Sequence, residues 1–173
     1  MNFKKQTSIV VFTVSLALTG TVAIVSTQGS QDEQPSAKSQ ARAGSIVGVW
    51  RTVVTPRSCL TGAPLGSLPG LFTFHEGGTM AEYGIGPGSS PALRSPGHGV
   101  WQREHGPHDY SFAFTFYRYD ANGAFIGSQK ITAALRLEAS GRKIATSSVI
   151  ETLDADDNLI GGGCATAAAT RFE

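Results

Sequence analysis

From Ser45 onward, apolar residues of this chain repeatedly alternate with polar or small ones, and no stretch sustains the 3.6-residue spacing of an amphipathic helix. Alternation of this kind sends successive side chains to opposite faces of an extended strand, so the apolar face is buried by building sheet. The pattern predicts eight strands, over 46–55, 71–75, 79–85, 99–103, 109–119, 124–138 with a bend, 143–153 and 164–172. Most of the connections are hairpin-sized and rich in residues that tolerate positive φ, as in Glu76-Gly77-Gly78, Asp120-Ala121-Asn122-Gly123, Ala139-Ser140-Gly141-Arg142 and Asp154-Ala155-Asp156-Asp157-Asn158. Strands joined in series by hairpins form a meander, and eight of them can close without leaving an edge. The expected fold is all-β, an eight-stranded antiparallel up-and-down β-barrel over 45–173. Two longer connections, 56–70 and 86–98, carry too much Pro and Gly for strand and are expected to sit at the rim as flaps.

The chain ahead of the barrel is of a different kind. Met1-Asn2-Phe3-Lys4-Lys5 is a short cationic start, and the uncharged run behind it centres on Ile9, Val10, Val11 and Phe12. This reads as an export signal over 1–27. Its apolar run approaches the roughly 20 residues that span a bilayer, so an uncleaved anchor holding the domain to a membrane is the alternative. Residues 28–44 are nearly devoid of apolar side chains and read as a disordered linker. Either reading of the leader places the barrel outside the cytoplasm, secreted or periplasmic. Loss of Lys4 and Lys5 with the leader takes two of the 14 basic side chains and leaves them one short of the 13 acidic ones. That balance recommends neither nucleic acid nor an anionic surface as a partner, and a monomer is expected. Cys59 and Cys164 are the only two cysteines, and in an oxidising compartment an even count favours one disulfide.

Two residues at opposite ends of the barrel carry a resemblance. Gly48-Val49-Trp50 lies on the first expected strand and Arg171 on the last. In both respects the chain resembles the calycin superfamily, the lipocalins and their relatives, in which Gly-x-Trp on the first strand is covered by a basic side chain from near the last. A guanidinium over an indole face is a cation–π contact that would seal one barrel end. Opposed residues of an antiparallel ladder have a constant sum of residue numbers. Trp50 with Arg171 and Cys59 with Cys164 give sums within two of each other, so one ladder between the first and last strands would bring both pairs close. The chain departs from typical lipocalins in having no helix after the last strand and no Thr-Asp-x-Tyr-like motif, and Gly-Val-Trp occurs again at Gly99 to Trp101. The resemblance implies a lipocalin-like barrel that holds a small apolar or amphipathic ligand, or one of the superfamily's enzymes, cyclase-like or haem-dependent isomerase-like.

The chemistry-bearing pattern is Tyr110, Phe112, Phe114 and Phe116, aromatics at alternate positions of one strand. They form either the wall of a ligand cavity or a solid barrel core. Ala167 and Ala168, within the small-residue run of the last strand, are the expected opposite wall, since small side chains there leave space and bulking either one is expected to abolish binding. His98, His105 and His108 cluster near Glu104 and Asp109, but their spacing matches no metal motif and the Gly and Pro around them indicate turn. They are weak metal candidates, and no cofactor is expected. His75-Glu76 ends a strand, and Asp154, Asp156 and Asn158 lack the glycine and glutamate that a calcium loop needs. Gly86-Pro87-Gly88-Ser89-Ser90 lacks the strand-turn-helix setting of a reactive serine. No catalytic residue is assigned. A binding module is the first reading, a barrel enzyme the second, and a structural or interaction protein with a solid core the third.

Overall fold

In the computed structural model of this chain, residues 44–85 and 90–172 are described; the leader, and the linker apart from Gly44, lie outside them. Strands form where the period-two segments lie: β1 (Gly48–Arg57), β2 (Leu68–Phe74), β3 (Thr79–Gly84), β4 (Gly97–Arg103), β5 (Asp109–Tyr119), β6 (Phe125–Leu137), β7 (Lys143–Leu153) and β8 (Leu159–Arg171). Each pairs antiparallel with the next, and β1 pairs with β8, which closes an eight-stranded up-and-down barrel. The described helical structure is one short 3-10 turn, Pro91–Leu93, and among the described residues no helix is long and apolar enough to cross a membrane. The barrel interior takes alternate residues of every strand, such as Trp50 and Thr52 on β1, Phe72 and Phe74 on β2, Met80 and Glu82 on β3, Phe112 and Phe114 on β5, and Ala165 and Ala167 on β8.

The β1–β8 ladder sets Trp50 opposite Arg171 and Arg57 opposite Cys164. Cys59, two residues past the end of β1, forms the disulfide with Cys164 across a Cα–Cα distance of 5.2 Å. At the other end of β1 the barrel is sealed. The Arg171 guanidinium lies 4.3 Å from the centre of the Trp50 ring. It donates to the carbonyl oxygens of Gly141 at 2.9 Å, Val47 at 2.8 Å and Ser45 at 2.5 Å, tying the β6–β7 hairpin and the entering chain to the last strand. Trp50 donates from Nε1 to the Ile46 carbonyl at 2.8 Å, and Ile46 is wholly buried beneath the seal. Gly48 has φ near 131°, a conformation that side chains avoid, and a Cβ there would come within 3.0 Å of Arg171 Nη1.

Several strand ends differ from the expected ones. β8 begins at Leu159, five residues before the expected start, and runs through Gly161, Gly162 and Gly163. These glycines keep their backbone pairing to Thr152, Glu151 and Ile150 of β7, so the ladder continues through a glycine run that the expected strand leaves out. β1 runs to Arg57 and β2 begins at Leu68, shortening the first flap to 58–67. β4 begins at Gly97, because glycine is what its neighbours require: a Cβ there would lie 2.7 Å from Phe114 Cδ2 and 2.8 Å from Glu82 Oε2. The bend in β6 is a register shift opposite Arg118 and Tyr119, where Ile126 is the extra residue between Phe125 and Gly127.

Candidate functional site

The barrel is filled at its sealed half and open at the other. Phe72, Phe74, Phe112 and Trp101 pack edge to face across the sealed half, with ring centres 5.6 Å apart for Phe72–Phe112 and 6.3 Å for Phe74–Trp101. Beyond them lies a cavity of about 590 Å³. Its aromatic wall is Phe112, Phe114 and Phe116 of β5, and Ala165 and Ala167 of β8 also line it. The Phe112 and Phe114 rings stack with their centres 6.1 Å apart. Gly97 and Gly99 on β4 make this wall fit, since a Cβ at Gly99 would stand 1.9 Å from the Ala113 carbonyl oxygen and 2.5 Å from Phe114 Cα.

Phe112, Phe114, Phe116 and Ala167 therefore meet around one space. Tyr110 begins the same stripe but sits in the sealed half, where its hydroxyl donates to the Gly44 carbonyl at 2.9 Å and accepts from Arg103 Nη2 at 2.7 Å. Ala168, next to Ala167, faces outward and is exposed. It lines a separate depression on the outer barrel surface together with Val53, Leu71 and Tyr83. The histidines do not converge. His98 is exposed near the start of β4, while His105 and His108 lie in the β4–β5 turn at the sealed end. Among the described residues no three His, Cys, Asp or Glu side chains gather as a metal site.

The cavity also holds charges outside the aromatic stripe. Glu82 of β3 is buried in its wall and forms an ion pair with Arg94, which enters from the second flap. Arg94 also donates to the Gly84 carbonyl at 2.5 Å and the Ser95 carbonyl at 3.2 Å, and its guanidinium stacks 3.6 Å over the Phe116 ring. Burial pushes the Glu82 carboxyl above the usual carboxylate range, outweighing the Arg94 charge and hydrogen bond, which act to lower it. The flap is pinned to β5 by Ser95, whose N–H donates to the Tyr117 carbonyl at 3.0 Å and whose Oγ accepts from the Tyr117 N–H at 2.9 Å. Arg118 and Gln129 also belong to the polar part of the lining, together with Thr146 and Ser148, and the Gln129 amide donates to Thr152 Oγ1 at 3.0 Å.

Part of this polar set could have been found in the sequence. Arg118 continues the parity of the stripe that begins at Tyr110, and Glu82 shares the parity of Met80 on a strand correctly placed. Arg94 carries no such signal, because it lies in a Pro/Gly-rich segment without period. No family model matches this chain, and no significant match is found among curated proteins.

Proposed function

We propose that this chain is an extracytoplasmic lipocalin-like barrel that binds a small apolar or amphipathic molecule in its lumen. The observation that carries the reading is the half-filled barrel: a sealed, aromatic floor and an apolar cavity of about 590 Å³ above it, a volume in the range that encloses small-molecule ligands. The Trp50–Arg171 seal and the closed meander support the calycin comparison. An extracytoplasmic location is supported by the Cys59–Cys164 disulfide and by the cationic-apolar start of the chain. The neutral fluorophore Nile red tests the placement. Ala167→Phe, which projects into the cavity, should weaken Nile red binding at least tenfold while the far-UV circular dichroism stays that of the parent. Ala168→Phe, on the outer face, should leave binding unchanged. Unaltered binding to Ala167→Phe, or loss with Ala168→Phe alone, overturns the lumen as the site.

Catalysis is the second reading, favoured by one observation. Glu82 is a buried carboxyl with a raised pKa in the wall of a cavity, a combination that recurs at acid–base centres. Both of its oxygens lie within hydrogen-bonding reach of the Arg94 guanidinium, so as it stands the group is a counter-ion rather than a free base.

A further inference from the structure

On β5 the inward positions run Tyr110, Phe112, Phe114, Phe116 and then Arg118, so the apolar stripe ends on a guanidinium. The Nη1 atom of Arg118 is buried and has no hydrogen-bond partner among the described residues. Arg94 stands directly opposite across an isolated antiparallel bridge, which sets the two Cα atoms about 5 Å apart. Like charges so opposed repel one another. Arg94 is answered by Glu82, two carbonyl oxygens and the Phe116 ring. Arg118 is not. The charged side chains lining the cavity are these two guanidiniums and the one Glu82 carboxylate, so the lining carries one surplus positive charge. Protonation of Glu82 would only enlarge the surplus. Of the second flap, the residues outside the description, Gly86-Pro87-Gly88-Ser89, include no acid.

A guanidinium nitrogen buried without an acceptor costs free energy that an anion can recover. We propose that Arg118 receives the monoanionic head group, of the carboxylate class, of an amphiphile whose tail lies between Phe112, Phe114, Phe116 and Ala167. The proposal rests on the lumen reading above and names its ligand class. One surplus charge matches a monoanion, whereas a dianionic phosphate monoester would reverse the sign of the site. The planar donor fork of arginine fits a carboxylate in two-point fashion, and the adjoining apolar wall recommends a hydrocarbon tail rather than a small free anion.

Displacement of Nile red by dodecanoate and by dodecanol, from the full chain and from Arg118→Met and Arg118→Lys, separates head from tail. The parent should bind dodecanoate at least tenfold more tightly than dodecanol, the scale expected of a charge-assisted pair. Arg118→Met should erase the preference while dodecanol binding stays within about twofold, and Arg118→Lys, which keeps the charge but loses the fork, should restore part of it. Equal displacement by acid and alcohol in the parent, or a preference that survives Arg118→Met, overturns the head-group assignment and leaves the lumen reading standing. If neither compound displaces Nile red and Ala167→Phe does not alter its binding, the lumen reading falls and the head group with it.

Discussion

Arg171→Met tests whether the sealed end holds the barrel closed. The substitution keeps a long apolar stem against Trp50 and removes, among the contacts of the described residues, the cation–π contact at 4.3 Å and the hydrogen bonds to the carbonyls of Gly141, Val47 and Ser45. These acceptors are only partly buried and share one side chain, so each bond is taken at about 1 kcal/mol, the mean for a typical hydrogen bond and below the usual range for a charged donor. The indole contact adds about 1 kcal/mol. Because the four act through one side chain they do not sum independently, and the expected loss is about 3–4 kcal/mol. Against a typical domain stability of about 5–15 kcal/mol that is a large fraction. Urea unfolding followed by tryptophan fluorescence reads it directly, with the m-value unchanged if the unfolding transition stays the same. Arg171→Lys should fall between parent and Arg171→Met, since an ammonium keeps the ring contact but cannot span three separated carbonyls. A loss below about 1 kcal/mol in Arg171→Met would show that the β1–β8 ladder closes the barrel without the latch.

Two further predictions concern stability. Replacing Cys59 and Cys164 together by Ser frees a loop with a sequence separation of 105, and the chain-entropy model gives a loss of about 5 kcal/mol. An unchanged urea midpoint in the double variant would refute it. Glu82 makes a pH prediction: its pKa in the folded barrel is raised above the ordinary value of 4.5, so the folded state holds this proton more tightly than the unfolded one. The stability it contributes is fully present below about pH 4.5 and is lost as pH rises through the folded pKa. Glu82→Gln should flatten that fall, and identical pH slopes of unfolding free energy for Glu82→Gln and its parent would contradict the assignment.

The barrel was legible because alternation and turn chemistry agree along most of the chain. The Trp50–Arg171 pairing was what the calycin resemblance implied, and register arithmetic, which holds in any antiparallel ladder, made it compatible with a Cys59–Cys164 bridge beside the same ladder. Strand ends escaped where glycine or proline serves the tertiary structure rather than a turn. Gly97 and Gly99 are cut back to admit Phe114, Pro69 pairs with Val53 inside β2, and Gly161 to Gly163 extend β8 on backbone pairing alone. The aromatic wall was visible as a stripe. Where the packed floor ends and the cavity begins was not, because hydropathy does not distinguish an apolar position that is filled from one that is vacant. The ion pair in the cavity was equally hidden, since Arg94 reaches Glu82 from a flap whose path no periodicity describes.

Side-chain volume along the strands explains the cavity better than hydropathy does. From the sealed end outward, the inward positions run Trp50, Thr52, Val54 on β1, Phe74, Phe72, Gly70 on β2, Met80, Glu82, Gly84 on β3, and Leu137, Leu135, Ala133 on β6. From the floor to mid-barrel bulk falls to Thr52, Gly70, Gly84 and Ala133, although Ile131 and Gln129 restore it farther along β6, while β5 stays aromatic as far as Phe116, so space opens between the β5 wall and these smaller neighbours. A dry void of about 590 Å³ would cost on the order of 10 kcal/mol at about 24 cal/mol per Å³, comparable with the whole stability of a domain. The space is tolerated only if solvent or a ligand enters it, and the polar groups in its lining, Glu82, Arg118 and Gln129, are consistent with that. A chamber and a packed core then respond oppositely to the same substitution. Overpacking a close-packed interior typically costs about 1–3 kcal/mol, whereas Ala167→Phe in a chamber should preserve or raise the urea midpoint while removing Nile red binding. If midpoint and binding fall together, β8 packs tightly against β5 and the open half of the barrel is core.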